Sequence, residues 1–429
     1  MNEINASIIT IGDELLIGQT IDTNSAFIGQ ELNKIGIWVK RRVAVGDVYD
    51  DIWKALDEEK KYARLIIITG GLGPTADDIT KPLLCDYFKT KLVRNEAVLA
   101  HLHNLYVNVY KRKAYLSEQN IKQADLPKSC TILHNAHGSA SGMWFESQNE
   151  DGEKVIFISM PGVPYEMKKI FTEEALPKII ETFGGYAVAH KVLSTFGMGE
   201  SLVAEKIADI EQALPPHIRL AYLPGYGQVK LRLTGKGTNK ELLEKEMAGP
   251  YDQICTALKA ISIADNDDTL EIIIGRQLQK QQKTLATAES CTGGYIAHLI
   301  TSVPKSSSHF NGAAVTYNNN IKEKILGVSH ETLETEGAVS ESTAKQMVTG
   351  ALNQFDADYA VATTGIMGPP SDNDEKPVGT VWIAVGNKNK IVTKLLNLGY
   401  DRDRNIQSTA QQALNLLRKF IIDCGEGSK

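Results

Sequence analysis

A chain of 429 residues exceeds what one hydrophobic core organises, so two or three domains are expected. Its 42% hydrophobic and 23% charged residues describe a globular protein, and a formal net charge of -6 argues against broad, sequence-independent nucleic-acid binding, which is driven by phosphate neutralisation. No run approaches the roughly 20 apolar residues of a membrane span, and five scattered cysteines in no metal-ligand spacing point to a reducing, cytoplasmic setting.

In chain order, residues 7–11 read as a buried strand and residues 24–35 as a helix with Phe27, Ile28, Leu32 and Ile35 on one side. Asn24 or Ser25 can cap that helix and Gly36 can end it. Residues 37–45 and 65–69 are strand-like, with a helical Ile52, Ala55, Leu56 segment between them. The alternation predicts a parallel sheet covered on both faces, whose ligands bind beyond the carboxyl ends of the strands. Two motifs fall there. Gly12-Asp13-Glu14 follows the first strand, with Asp22 shortly after, and Thr69-Gly70-Gly71-Leu72-Gly73-Pro74-Thr75-Ala76-Asp77-Asp78 follows the third. Glycines let backbone N–H groups approach a phosphate. Carboxylates beside them make sense if a divalent cation bridges acids and phosphate; a turn with helix-capping acids is the alternative. The candidate site is therefore Asp13, Glu14, Asp22, Gly70, Gly71, Gly73, Thr75, Asp77 and Asp78, the last two as metal ligands. His134 and His137, in a later loop, read as exposed rather than as a metal pair.

The middle of the chain has its own rhythm: a strand over 191–196, a helix through Val203, Ile207 and Ile210, and a hairpin-like pair over 219–223 and 228–234. Helical residues follow over 240–257, expected to break at Gly249-Pro250. An acidic connector near 263–268 opens the last domain. There an apolar run from Thr284 ends in Glu289-Ser290-Cys291-Thr292-Gly293-Gly294, and Ile296, Leu299, Ile300 and Val303 follow at helical spacing. A strand feeding a small-residue turn and a helix is a candidate anion cradle. Further on stand Ser306, Ser307 and Ser308, then Tyr317 and Lys322. A strand over 359–363 opens onto Thr364-Gly365, another covers 381–385, and Asp401-Arg402-Asp403-Arg404 precedes an amphipathic helix.

Carboxamide hydrolysis requires a nucleophile, a base and donors for the developing oxyanion. The last domain has no Ser-His-Asp pattern, so a Ser-Lys pair assisted by tyrosine is the economical alternative. Lys322 would need a pKa below the ordinary value of about 10.4. Ser306 and Ser308 remain rivals for the serine, and Cys291 is a rival nucleophile.

The motifs GDELLIGQTIDTNS, TGGLGPTADD, MPGVPYEM, AESCTGG, VTYNNNIK, GAVSE and KPVGTVW, in this order on one chain, resemble those of CinA proteins. The resemblance implies an α/β protein of three domains. These are a MoaB-like doubly wound, molybdopterin-binding-like domain over 1–172, a small α+β KH-like domain over 173–262, and an α/β nicotinamide mononucleotide (NMN) deamidase domain over 263–429. It implies that the front domain hydrolyses ADP-ribose to AMP and ribose 5-phosphate with Mg, Mn or Co, K+ being a further candidate ion. The last domain would hydrolyse NMN to nicotinate mononucleotide and ammonia without a cofactor. By the same resemblance Ser307 aligns with the nucleophile, Tyr317 with the assisting phenol and Lys322 with the base. Ser290, Thr292, Thr364 and Gly365 would hold substrate, and Arg404 would take the nucleotide phosphate. Lys305 stands where relatives carry glycine. The expected partners are the two nucleotides and a second copy in a homodimer. Nucleic acid is not expected, since the candidate loop at 196–200 ends in Glu200 and lacks flanking Lys or Arg. The alternative is a non-catalytic scaffold for competence or DNA recombination, or a molybdopterin-binding protein.

Overall fold

Three strands lie side by side at the front of the chain: β1 (Asn5–Ile11), β2 (Trp38–Val45) and β3 (Leu65–Thr69). The computed structural model describes residues 4–75, 78–109, 117–184, 187–370 and 376–426. It divides into two compact units, residues 1–189 with 235–245 and residues 190–234 with 246–429. In the first unit β1 pairs in parallel with β2 and β3, so all three carboxyl ends open on one edge. Every position of β3 is buried, and its side chains alternate between two cores. Ile66 and Ile68 pack with Ile52 and Leu56 of α2 (Tyr49–Glu59) and Leu83 and Leu84 of α3 (Thr80–Tyr87). Leu65 and Ile67 pack with Ile28 and Leu32 of α1 (Thr23–Lys34).

The sheet is not parallel throughout. With β4 (Thr131–Leu133), β5 (Gly142–Gln148) and β6 (Lys154–Met160) it runs in the order β2-β1-β3-β6-β5-β4; β6 is parallel to β3, β5 pairs antiparallel with β6, and β4 pairs antiparallel with β5. The connection from β5 to β6 is only five residues, too short for a parallel crossover. Two further expectations are corrected. Asp22, not Asn24 or Ser25, caps α1, accepting from the Ser25 N–H at 2.9 Å. The front fold also runs past residue 172, because α4 (Leu176–Phe183) buries Ile179 with Phe171 and Ala175 in the front core.

The middle module follows the expected order: β7 (Ala187–Phe196), α5 (Glu200–Gln212), β8 (Ile218–Gly225), β9 (Gln228–Gly237), α6 (Lys240–Ala257) and β10 (Ser262–Ala264), with the sheet order β8-β9-β7-β10. The expected break at Gly249-Pro250 does not occur; α6 is continuous with Pro250 inside it. Leu243, Met247, Tyr251, Ile254 and Leu258 are all buried at helical spacing, and that face outweighs the donor proline lacks. Glu246, whose carbonyl loses its partner, is exposed to water. Pro250→Ala is therefore expected to raise thermal stability by about 1–3 kcal/mol, read as an upward shift in the melting temperature.

The last domain packs α7 (Leu270–Gln281) and α11 (Arg402–Glu426) on one face of a sheet and α10 (Glu341–Gln354) on the other. The sheet order is β12-β11-β13-β14-β15, from β11 (Leu285–Glu289), β12 (Phe310–Val315), β13 (Tyr359–Gly365), β14 (Thr380–Gly386) and β15 (Ile391–Asn397). β12, β11 and β13 are parallel, β14 pairs antiparallel with β13, and β15 pairs antiparallel with β14. Two helices cross from strand to strand, α8 (Tyr295–Thr301) after β11 and α9 (Asn319–Leu326) after β12. The parallel strands thus end together, with loops at 290–294, 316–318 and 366–370. Among the described residues no helix is long and apolar enough to cross a membrane.

Candidate functional site

A cavity of about 190 Å³ opens at those strand ends, lined by Ser290, Cys291, Tyr317, Asn319, Lys322, Thr364, Gly365 and Arg402 among others. They come from four chain reversals. Ser290 follows β11, Tyr317 and Lys322 come from the loop and first turn after β12, Thr364 and Gly365 end β13, and Arg402 begins α11. Lys322 is 1% exposed, and burial lowers the pKa of its amine below the ordinary lysine value. Its Nζ donates to the Tyr317 carbonyl at 3.3 Å. A buried amine with its charged form disfavoured is suited to accept a proton from a neighbouring hydroxyl. The Tyr317 phenol is exposed and accepts from Arg402 Nη2 at 2.7 Å, while Arg402 Nη1 donates to the Gly368 carbonyl. The Thr364 hydroxyl donates to the Ala338 carbonyl at 2.6 Å. Cys291 is buried and its thiol is pushed up to about 12 by that burial, so it is a poor thiolate nucleophile.

The structure separates one expected pair. Ser307 lies in the turn Ser306–Ser308 before β12, and Lys322 lies after it. In the parallel ladder Phe310 stands opposite Leu285 and Val315 opposite Glu289, so the six-residue strand, about 20 Å long, runs between them. The neighbouring Ser308 Oγ accepts from Gln279 of α7 at 3.0 Å, at the amino end of the sheet. The expected Ser307–Lys322 dyad is not formed, and the serine that shares the cavity with Lys322 is Ser290. Lys305, just before, adopts a left-handed φ of 68°, a conformation glycine holds without strain.

Two other expectations change. Thr292 is buried and its hydroxyl donates to Glu289 Oε2 at 2.7 Å, so it serves the turn and does not face the cavity. Arg404 stacks its guanidinium over the Tyr400 ring at 3.9 Å, whereas Arg402 lines the cavity. Residues two apart on a helix point to different sides, and the sequence Asp401-Arg402-Asp403-Arg404 holds no signal to choose between them. The expected anion cradle at 290–294 is filled from within: the N–H groups of Gly294, Ile296 and Ala297 all donate to the Glu289 carboxylate. The apolar run ending in an acid before a glycine turn was the one available signal.

At the front motif Gly70 has φ 112°, and a Cβ there would stand 2.2 Å from the Ile11 carbonyl oxygen, so only glycine fits. Gly71 is similarly close to Thr80 Oγ1. Asp13 exchanges backbone-to-side-chain hydrogen bonds with Asp47 at 3.3 Å each, beside Glu14 in the same short turn. Asp78 accepts from the Gly73 N–H at 2.7 Å and from the Thr75 N–H at 2.9 Å and its hydroxyl, a loop staple with both oxygens engaged. Asp77 lies outside the described residues. Among the described residues no three His, Cys, Asp or Glu gather as ligands of a metal ion. His134 is exposed against His101, and His137 is exposed against Tyr165.

A mixed α/β chain with a doubly wound front domain, a small α+β module and a second α/β domain carrying a lysine-containing cavity is the class these features define. Residues 7–181 match the family described as "Probable molybdopterin binding domain", residues 190–260 the "Damage-inducible protein CinA KH domain", and residues 267–421 the "CinA C-terminal domain". A CinA-like protein of Cytophaga hutchinsonii is 48% identical over 418 residues, covering 97% of this chain and 98% of that one. A CinA-like protein of Flavobacterium psychrophilum is 40% identical over 420 residues, covering 98% and 99%. Among solved structures, the competence/damage inducible protein CihA from Agrobacterium tumefaciens is 41% identical with a TM-score of 0.34, covering 34% of this chain and 91% of that one. The chain belongs to the CinA family, with a molybdopterin-binding-like front domain, a KH-like middle domain and a CinA C-terminal domain.

Proposed function

We propose that the C-terminal domain is a nicotinamide mononucleotide amidohydrolase, with Ser290 as the nucleophile, Lys322 as the base and Tyr317 as the assisting phenol. The observation that carries it is the cavity at the strand ends, which is lined by both Ser290 and Lys322, a buried lysine of lowered pKa. Ser290 Oγ attacks the carboxamide carbon and gives its proton to the Lys322 amine. The tetrahedral adduct collapses as that proton passes, by way of the Tyr317 phenol, to the leaving nitrogen, and ammonia departs. Water then attacks the acyl-serine ester with Lys322 taking its proton, and the second collapse releases nicotinate mononucleotide and returns the proton to Ser290. The cavity is below the roughly 300 Å³ of an ordinary ligand site, a size suited to the amide end of a mononucleotide rather than the whole. Incubation of the chain with NMN and identification of ammonia and nicotinate mononucleotide tests the reading; absence of both products defeats it.

Arg402 holds the phenol by a charged hydrogen bond, a contact whose loss costs about 1.5–3 kcal/mol. Arg402→Ala is therefore expected to lower kcat/KM for NMN about 10- to 100-fold, and Arg404→Ala to leave it within about twofold. Steady-state ammonia release from the two variants decides between the arginines.

A second reading concerns the front domain. The glycine turn after β3 and the loop Gly162 beside it, whose carbonyl accepts from Asn24 Nδ2 at 2.7 Å, support a phosphate-bearing ligand at the strand ends. The reaction proposed is hydrolysis of ADP-ribose to AMP and ribose 5-phosphate. Product analysis with added Mg2+, Mn2+ or Co2+, or with EDTA, tests both the reaction and its ion requirement.

A further inference from the structure

Glu289 is the last residue of β11 and is 0% exposed. A carboxylate taken out of water costs several kcal/mol unless its oxygens are satisfied. Here Oε2 accepts from Thr292 Oγ1 at 2.7 Å, Ile296 N at 3.0 Å and Gly294 N at 3.1 Å, and Oε1 from Ala297 N at 2.8 Å and Thr287 Oγ1 at 3.3 Å. The carboxylate therefore ties the end of β11 to the far side of the turn that carries Ser290. The same turn is fixed to β13 at two points: the Ser290 N–H donates to the Thr363 carbonyl at 2.9 Å, and Thr292 Oγ1 lies 2.7 Å from Thr363 Oγ1. Glu289 does not line the cavity, and all its close donors belong to the turn, its flanking strand and the following helix. It is thus placed to set where the serine hydroxyl points, and not to exchange protons with a substrate.

We propose that Glu289 is a positioning residue for Ser290, acting through the 290–294 turn. This rests on the reading above in taking Ser290 as the nucleophile. A displacement of about 1 Å in a reacting group costs on the order of 100-fold in rate, so a change in this staple is read in turnover before it is read in substrate affinity.

The test uses the full chain and two variants. Glu289→Gln keeps the shape but turns one acceptor into a donor facing donors; Thr292→Val removes one hydroxyl. Each is followed by steady-state NMN deamidation and by the rate at which methanesulfonyl fluoride labels Ser290, located by peptide mass spectrometry with Ser290→Ala as the blank. The expected result is a kcat lowered about tenfold or more in Glu289→Gln and about threefold in Thr292→Val, with KM within about twofold and labelling slowed in parallel. Folded variants whose kcat and labelling rate match the unaltered chain overturn the inference, as does a loss confined to KM. Should Glu289→Gln fail to fold, Thr292→Val alone decides by the same criteria. If the unaltered chain labels at Ser290 yet releases no ammonia, the deamidase reading falls and the labelling ratios still judge Glu289. If it does not label at Ser290, the inference falls.

Discussion

Ser290→Ala is expected to lower ammonia release from NMN by about a thousandfold or more, while Ser307→Ala stays within about twofold of the unaltered chain. The contrast follows from the sheet. Ser290 stands at the carboxyl end of β11 in the cavity with Lys322, and Ser307 precedes the amino end of β12, a strand's length away. On the proposed mechanism, losing Ser290 leaves only binding and field effects, whereas the exposed Ser307 hydroxyl at the opposite edge has no reacting group to serve. Circular dichroism of both variants separates chemistry from unfolding. Activity lost in Ser307→Ala and kept in Ser290→Ala would sink the assignment.

Lys322→Met is expected to reduce turnover by a similar factor and, unusually for an active-site change, to raise stability near neutral pH. The methionine is of similar length and fills the same buried volume without an amine to desolvate. The sign follows from linkage. Burial lowers the folded pKa of Lys322 below the unfolded value of about 10.4, so between the two values the unfolded chain binds the extra proton. The destabilisation from this group is complete below the folded pKa and disappears as pH rises through the unfolded one. Turnover is expected to move in the same direction, with kcat/KM rising with pH as the amine loses its proton and reaching its plateau below the pH an exposed lysine would require. A melting temperature a few degrees higher in Lys322→Met at pH 7, equivalent to about 1–2 kcal/mol, together with a flat pH profile of residual activity, is the result that supports the argument. A lower melting temperature contradicts it.

The frame of the molecule was legible where one physical signal dominated. Leu65–Thr69 and Tyr359–Gly365 are short apolar runs flanked by small residues, and both are buried strands. β15, Ile391–Asn397, was not seen, because its exposure follows no clean alternation and it gains its place only by pairing with β14. Pro250 misled because a local rule was outweighed by a long apolar face. In the cavity, Thr364, Gly365, Ser290 and Lys322 were legible as residues at or beyond strand ends. Ser307 was not, since proximity in sequence concealed an intervening strand, and Arg402 could not be told from Arg404 without the helix phase.

Cys291, next to Ser290, is a free thiol held out of water. With its thiol pushed up to about 12 by burial, the sulfur stays protonated at neutral pH, and the thiolate is the form that reacts readily with peroxide or alkylating agents. The sulfur beside Ser290 is thus kept chemically quiet by its surroundings, while exposed thiols remain open to modification.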